Sequence, residues 1–141
     1  MRDVAVGILV REKLVLACQR PSSARYPLKW EFPGGKVEPG ETPREALDRE
    51  LREELAIRVV QANPFHLREW TYPDSAVGKE DGAFRVHYFT VSAFEGDPTN
   101  HAFAEIRWVT IAQLSSLDIL EGNADAVKLL SRTLNSGRAT P

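Results

Sequence analysis

The chain has 141 residues, of which 43% are hydrophobic and 27% are charged, and its formal net charge is −2. This size and composition suit one globular domain with a single sizeable core. The small negative charge argues against broad binding to nucleic-acid polymers, which usually requires a basic patch or stripe. Cys18 is the only cysteine, which excludes an intrachain disulfide and a multi-cysteine zinc site.

The apolar segment nearest the N-terminus is short. Residues 4–10 form a run of seven apolar or small residues that is followed directly by charged residues. Such a run is too short for a signal peptide or a membrane helix. We therefore expect one domain over residues 1–141, a cytoplasmic location, no membrane partner, and a loose tail at residues 136–141.

The first third of the chain predicts paired strands and a surface loop. Residues 4–10 and 14–18 are rich in β-branched residues and leucine and are separated by a polar turn, a pattern typical of a hairpin. A loop with two prolines and two serines follows. Residues 30–32 then form a short extended piece that ends in Pro-Gly-Gly.

A helix start signal follows the glycines. Thr42 is a good N-cap residue, Pro43 suits the first helical position, and Glu45 completes a capping box. These residues predict a helix over residues 43–55.

The remaining pattern predicts strands closed by a final helix. The predicted elements are, in order, a strand over 57–70 broken near residues 63–64, a long hairpin loop over 72–82, a strand over 84–94, a loop over 96–104, a strand over 106–109, one or two helical turns over 111–117, and a helix after Asn123 to residue 134. Strands interrupted by a central helix and closed by another predict a mixed sheet with helices on both faces.

Three glutamates share one face of the predicted central helix. At about 100° per residue, Glu50, Glu53 and Glu54 fall within roughly 100° of arc and flank the apolar leucine stripe. Partly desolvated carboxylates grouped in this way either take up protons or hold a cation. A hard divalent ion, Mg²⁺ first, suits three carboxylates and a nearby loop carbonyl.

The stretch over residues 35–57 resembles the Nudix box, a pattern of glycine, glutamate, arginine and aliphatic residues at fixed spacing. Eight of its nine defined positions match in register: Gly35, Glu41, Arg49, Glu50, Leu51, Glu53, Glu54 and Ile57. Ala56 stands where the family has glycine. Because that glycine ends the helix with a positive φ, we expect Ala56 to shift the helix exit without touching a ligand.

The resemblance implies an α/β chain with the Nudix fold, an α/β/α sandwich around a central mixed sheet. It also implies Mg²⁺-dependent hydrolysis of a nucleoside diphosphate linked to another group, with Mn²⁺ as a substitute ion. Metal ions neutralise clustered phosphate charge, orient in-line attack and lower the pKa of the attacking water.

The resemblance further implies a role for each residue of the box. The implied metal ligands are the Gly34 carbonyl and the carboxylates of Glu50, Glu53 and Glu54. Arg49 is expected to orient a glutamate, and Glu41 is expected to support the box, so we count both with the three glutamates as catalytic. The alternative interpretation is a charged helix whose glutamates are solvated and have no functional role.

Residues 30–42 are similar to the MutT-type branch of the family, the nucleoside triphosphate pyrophosphohydrolases that include enzymes acting on 8-oxo-dGTP. In that branch an arginine on the second strand, the phenylalanine before Pro-Gly-Gly and an asparagine ahead of the last helix contact the nucleotide. The matching residues are Arg20, Phe32 and Asn123. We also expect substrate contacts from Lys36 and from Tyr72, where the branch often has an aromatic residue near the base.

These substrate residues also have simpler interpretations. Arg20 could offer a charge-assisted fork to phosphate or be a solvated loop residue. Phe32 could stack on a base or pack in the core. Asn123 could read a purine edge, or its side-chain oxygen could cap the last helix.

Two features depart from the branch. A glutamate in the loop before the late tryptophan contributes to the metal site there, and counting back from Trp108 places Ala102 at that position. His101 or Glu105 could substitute, or the box glutamates could do this work. The loop over residues 74–82 is longer than in compact members, and it could overhang the site or be a plain solvent loop.

The sequence therefore predicts an enzyme that splits a nucleoside triphosphate, oxidised or not, into the monophosphate and pyrophosphate. Its expected partner is a small nucleotide, and its expected state is a monomer or homodimer. One alternative keeps the chemistry and changes the substrate to an RNA 5′ end, a nucleotide sugar or a dinucleotide. The other is a nucleotide-binding module of the same fold that does not turn its ligand over.

Overall fold

The computed structural model describes residues 1–71 and 83–137. Tyr72, the loop over residues 74–82 and residues 138–141 of the predicted tail lie outside the described residues. Within the described ranges, no helix is long and apolar enough to cross a membrane.

Seven strands and three α-helices make up this part of the chain. The strands are Arg2–Arg11 (β1), Leu14–Gln19 (β2), Trp30–Glu31 (β3), Gly34–Lys36 (β4), Arg58–Thr71 (β5), Ala83–Glu95 (β6) and Glu105–Val109 (β7). The helices are Pro43–Leu55 (α1), Ile111–Ser116 (α2) and Ala124–Gly137 (α3), and a 3₁₀ turn at Glu121–Asn123 leads into α3. The bounds of α1 agree with the predicted helix.

The strands form a mixed sheet in the order β3-β2-β1-β6-β5, with β4 paired to β1 and β7 paired to β2. β1 and β6 run parallel, with Val4 opposite Val86, whereas the other pairs are antiparallel. β1 therefore touches the predicted hairpin partner, the glycine turn of β4 and the long strand β6. The central position of β1 ties the site-bearing turn to the rest of the sheet.

Helices cover both faces of the sheet. α1 packs on one face through Leu47, Leu51 and Leu55, all fully buried, in a cluster that also holds the buried thiol of Cys18. The second cluster lies on the other face and includes residues of α2 and α3 such as Leu130. This arrangement confirms the predicted α/β/α sandwich.

Helix α1 begins as the sequence predicts. Thr42 Oγ1 accepts a hydrogen bond from the Glu45 amide at 3.1 Å, and Glu45 Oε1 accepts one from the Thr42 amide at 2.9 Å. The reciprocal pair satisfies two backbone donors that a helix start would otherwise leave unpaired. The cap therefore fixes where the glutamate-bearing helix starts.

The end of α1 differs from the prediction. Ala56 adopts the left-handed conformation itself, with φ of 57°, and its amide donates to the Arg52 carbonyl at 3.0 Å. The expected shift of the helix exit therefore does not occur. Thr99 and His101 add backbone hydrogen bonds to the carbonyls of Leu55 and Glu54 at 2.8 and 3.0 Å, so the loop before β7 caps this end.

Two further predictions need correction. The strand expected to break near residues 63–64 is continuous as β5, because register shifts such as the one between Pro64 and His66 absorb the proline within the sheet. The last helix continues to Gly137, two residues into the predicted tail.

Replacing Ala56 with glycine should stabilise the protein. A left-handed conformation costs an L-residue with a side chain about 1–2 kcal/mol relative to its usual conformation, and Ala56 is exposed, so no packing is lost. We expect Ala56→Gly to raise the free energy of unfolding by about 1 kcal/mol in urea titrations. Ala104→Gly, in an exposed loop and without positive φ, is the matched control and should be neutral or destabilising. Lower stability of Ala56→Gly would contradict the account.

Candidate active site

The glycine turn of β4 lies tightly between strand β1 and helix α1. Gly34 pairs with Val6, and a side chain on Gly34 would collide with the carbonyl oxygen of Ala5. A Cβ on Gly35 would lie 2.5 Å from Oε2 of Glu50, well inside van der Waals contact. The two glycines therefore let the helix bring its carboxylates against the backbone of the turn.

The carboxylate of Glu54 lies in this contact. Its Oε1 accepts a hydrogen bond from the Gly34 amide at 3.0 Å. Burial, followed by the negative charges of Glu50, Glu31 and Glu53, raises the pKa of Glu54 to about 8, although the Gly34 hydrogen bond acts in the opposite direction. The fold thus holds a carboxylate where its negative charge is poorly compensated.

Arg49 connects the box. Its guanidinium binds Glu41 through two hydrogen bonds, Nε to Oε2 at 2.7 Å and Nη2 to Oε1 at 3.0 Å, and these bonds lower the pKa of Glu41 to about 2. Nη1 donates to Glu50 at 2.9 Å and to Glu53 at 3.3 Å, and Nη2 donates to the Lys36 carbonyl at 3.0 Å. One arginine therefore holds two of the predicted ligands beside the glycine turn.

The chemistry of these residues fits a divalent cation. In residues 1–71 and 83–137, no three carboxylate, imidazole or thiolate side chains already converge at metal-binding distances. Burial, and after it the negative charges of neighbouring glutamates, nevertheless raises the pKa of Glu54, so that its ionised form lacks compensation. A hard divalent ion bound by these oxygen atoms would supply the missing positive charge.

A cavity of about 170 Å³ is lined by members of the core cluster on the α3 face and by Glu31, whose negative charge contributes to the raised pKa of Glu54. Three of the predicted substrate residues, Arg20, Phe32 and Asn123, line it together with Glu31 and Tyr88. Phe32 is 4% exposed and belongs to the core cluster on the α3 face. It therefore packs in the core and also forms part of the cavity wall.

Arg20 is not a solvated loop residue. Its Nη1 donates to Glu31 at 3.1 Å, and its Nε donates to the Arg25 carbonyl at 2.8 Å. Burial raises the pKa of Glu31, while the nearby arginine partly offsets that rise. The pair places a positive group at the cavity wall between the loop and the carboxylates.

Asn123 ends the 3₁₀ turn before α3 and is buried. Its side-chain oxygen accepts a hydrogen bond from the Tyr88 hydroxyl at 2.5 Å. Within the described residues this side chain makes no hydrogen bond to the start of α3, so the proposed helix-capping alternative finds no support there.

Of the remaining predicted substrate residues, Lys36 does not line the cavity. The side chain of Lys36 is exposed and lies on a separate shallow surface beside Glu38 and Glu41. Tyr72 lies outside the described residues.

The position of the absent loop glutamate is also defined. Ala102 is exposed, and the neighbouring His101 amide binds the Glu54 carbonyl at 3.0 Å, which places His101 at the site end of α1. Glu105 instead binds Arg107 at 2.9 Å. Of the two proposed substitutes, only His101 is attached to the glutamate helix.

The chain matches the NUDIX domain model over residues 1–132. It belongs to the Nudix family. The 8-oxo-dGTP diphosphatase of Escherichia coli is 31% identical over 131 residues, which cover 92% of this Nudix chain and 96% of that protein. The CTP pyrophosphohydrolase of the same organism is 42% identical over 86 residues, covering 52% of this chain and 64% of that protein.

Solved structures agree with the family. The solution structure of the E. coli ORF135 protein has a TM-score of 0.82 and 26% identity, and the match covers 96% of this chain and 92% of that chain. Family membership and the relatives together indicate that this Nudix chain is a pyrophosphohydrolase that uses a divalent metal ion and a nucleotide substrate.

Sequence reasoning did not single out Glu31 or Tyr88, which both line the cavity. Glu31 stands between two buried aromatic residues, and this isolated acid in an apolar strand was the one available signal. Tyr88 carries no such signal, because tyrosine is common in β-strands and often packs in the core. Only the fold brings its hydroxyl to Asn123.

The raised pKa of Glu54 predicts how the stability of the metal-free Nudix protein changes with pH. Since the folded-state pKa is about 8 against an ordinary 4.5, the folded state holds this proton more tightly than the unfolded state. The stabilising contribution is fully present below pH 4.5 and is lost as the pH rises to about 8. Urea unfolding in EDTA should show a smaller loss in Glu54→Gln than in the wild type, because the raised pKa of the buried Glu31 contributes a loss of the same sign in both proteins.

Glu12→Gln, in the exposed β1–β2 turn, is the matched control and should keep the wild-type dependence on pH. Saturating Mg²⁺ should remove most of the loss, because a bound cation favours the ionised carboxylate. An identical pH dependence in the wild type and Glu54→Gln would show that the carboxyl group is not perturbed in this way.

Proposed function

We propose that this protein hydrolyses nucleoside triphosphates to the monophosphate and pyrophosphate, with Mg²⁺ as the working ion. The observation that carries the proposal is the contact between Glu54 and the Gly34 amide within the group of carboxylates on α1. Arg20, Phe32 and Asn123 line a cavity that also includes Glu31, a charged neighbour of Glu54. The reaction adds one water and breaks one phosphoric anhydride bond, so that pyrophosphate leaves as a unit.

Each part of the site has a task in this proposal. Glu50, Glu53 and Glu54 would hold Mg²⁺, and Arg49 fixes the first two of these side chains. A bound Mg²⁺ would neutralise phosphate charge and lower the pKa of the attacking water. Glu41 supports the box by anchoring Arg49 through two hydrogen bonds.

The cavity residues bind the nucleotide. Arg20 provides a charged hydrogen-bond donor at the cavity wall, where its bond to Glu31 holds it. A phosphate or ribose oxygen of the substrate then accepts a hydrogen bond from this guanidinium. Phe32 provides an aromatic face for the base, and Asn123 provides the amide that reads its edge. The exposed Lys36 contacts the phosphate groups of the substrate that lie outside the cavity.

The relatives suggest which nucleotides to test first. The E. coli 8-oxo-dGTP diphosphatase matches nearly the whole chain, whereas the E. coli CTP pyrophosphohydrolase matches about half of it. We propose an oxidised guanine nucleotide as the first candidate and CTP as the comparison. The predicted cytoplasmic location and the monomer or homodimer state stay predictions, as does the preference for Mg²⁺ over Mn²⁺.

Replacing Glu54 tests this function. Glu54→Gln keeps the size of the side chain and the acceptor for the Gly34 amide but removes the negative charge that a cation needs. We expect kcat to fall by at least about a hundredfold, since metal-site changes of this kind have large effects on activity. The measurement is pyrophosphate release from 8-oxo-dGTP, dGTP and CTP with Mg²⁺, together with circular dichroism to confirm folding.

Glu12→Gln serves again as the control and should retain wild-type turnover. A folded Glu54→Gln protein with near-normal kcat would contradict the proposed function. If no triphosphate is cleaved by the wild type, while a nucleotide sugar or a dinucleotide is, the site keeps its chemistry and the substrate proposal fails.

A further inference from the structure

Helix α1 carries two of the three proposed metal ligands in its last turn. Glu53 and Glu54 directly precede Leu55, the last residue of the helix. The last carbonyl groups of an α-helix have no hydrogen-bond partner within the helix, and helix ends fray when nothing else binds them. The positions of these two side chains therefore depend on what holds the end of α1.

The loop between β6 and β7 holds that end. The Thr99 amide donates to the Leu55 carbonyl at 2.8 Å, and the His101 amide donates to the Glu54 carbonyl at 3.0 Å. Both donors are backbone groups, so their positions depend on the shape of the loop backbone. Residues 99–103 thus form a clamp loop on the end of the glutamate helix.

The side chain of Asn100 determines the shape of the clamp loop. Its Oδ1 accepts hydrogen bonds from the amides of Ala102 at 3.1 Å and Phe103 at 2.8 Å, and its Nδ2 donates to the Phe103 carbonyl at 2.8 Å. Asparagine side chains that bind backbone groups a few residues further on stabilise tight turns. Because Asn100 lies between Thr99 and His101, this turn also fixes the two amides that bind α1.

Both ends of the clamp loop are anchored in the fold. Phe103 packs against the core cluster under α1, and the Ala104 amide donates to the Gln19 carbonyl of β2 at 2.9 Å. On the other side, Gly96 approaches the helix end so closely that a Cβ there would lie 3.3 Å from the Ala56 carbonyl oxygen. The anchors fix where the turn lies, and Asn100 fixes the direction in which its amides point.

We propose that Asn100 is a positioning residue for the metal site: it shapes the clamp loop that holds the last turn of α1, and it thereby keeps Glu53 and Glu54 in the arrangement that a divalent cation requires. This inference rests on the proposed function, which makes these glutamates metal ligands. Residues that orient metal ligands change metal affinity although they do not contact the ion. A displaced helix end would also move Glu54 away from the Gly34 amide, which it binds at 3.0 Å.

Amide hydrogen exchange tests the structural step. Asn100→Ala removes the three side-chain hydrogen bonds but no core packing, since Asn100 is exposed. We expect the Thr99 and His101 amides to exchange at least about tenfold faster in this variant, because their hydrogen bonds to α1 open more often. NMR spectroscopy follows each amide separately. Unchanged exchange of both amides would overturn the inference.

Metal binding without substrate tests the functional step. Isothermal titration of the protein with MnCl₂ should show about tenfold weaker binding by Asn100→Ala than by the wild type, an effect typical of residues that orient metal ligands. Asn100→Ser keeps an uncharged acceptor that supports such turns more weakly, so its affinity should lie between the two. Melting temperatures establish that each variant is folded.

Turnover provides a second readout of the same step. The Mg²⁺ concentration that gives the half-maximal rate should rise about tenfold in Asn100→Ala. At saturating Mg²⁺, kcat should stay within about twofold of the wild-type value, because the ligands themselves are intact.

Thr110→Ala is the matched control. Thr110 Oγ1 accepts a hydrogen bond from the Gln113 amide at 3.1 Å, at the start of a helix that packs on the opposite face of the sheet. The variant should lower the melting temperature and leave Mn²⁺ affinity at the wild-type value. Equal losses of Mn²⁺ affinity in Thr110→Ala and Asn100→Ala would overturn the inference, as would wild-type affinity in a folded Asn100→Ala protein.

Metal binding and turnover together separate this inference from the proposed function. If the wild type hydrolyses no triphosphate but binds Mn²⁺ in a manner that depends on Asn100, the proposed function fails and the inference stands. If triphosphates are hydrolysed and Mn²⁺ affinity does not depend on Asn100, the function stands and the inference fails.

Discussion

The contact between the Glu54 carboxylate and the Gly34 amide is the constraint on which the site depends. The leucine stripe of α1 packs on the sheet, and β4 pairs with β1 under the same helix, so the acidic edge of α1 is pressed against the glycine turn. Hydrophobic burial outweighs the cost of desolvating the carboxylates because it is spread over the whole helix. In the proposed function, a divalent cation would compensate the charge of these carboxylates.

The same sheet connects the carboxylates of α1 to the cavity. β1 pairs with the glycine turn on one side and with β6 on the other, and β6 carries Tyr88 on the face opposite α1. The proposed metal ligands and the proposed nucleotide cavity therefore belong to opposite faces of one sheet. Glu31 connects them, because it lines the cavity and its charge contributes to the raised pKa of Glu54.

The sequence predicted the parts of the site that are local. Residue spacing along one helix predicts the cap at Thr42, the bounds of α1 and the shared face of the glutamates. The order of the elements predicts that helices lie on both faces of the sheet. Ala56 showed the limit of a local rule, because the loop before β7 holds the helix end in place. Tyr88 and Glu31 were missed because their partners lie far away in sequence, Asn123 being 35 residues from Tyr88 and Arg20 being 11 residues from Glu31. Lys36 does not line the cavity.

The most direct measurement of the central claim is phosphorus NMR of the reaction mixture with and without Mg²⁺. The account predicts that a nucleoside triphosphate is converted to the monophosphate and pyrophosphate when Mg²⁺ is present, and that EDTA stops the reaction. Release of inorganic phosphate with a nucleoside diphosphate, or cleavage that continues in EDTA, would contradict it.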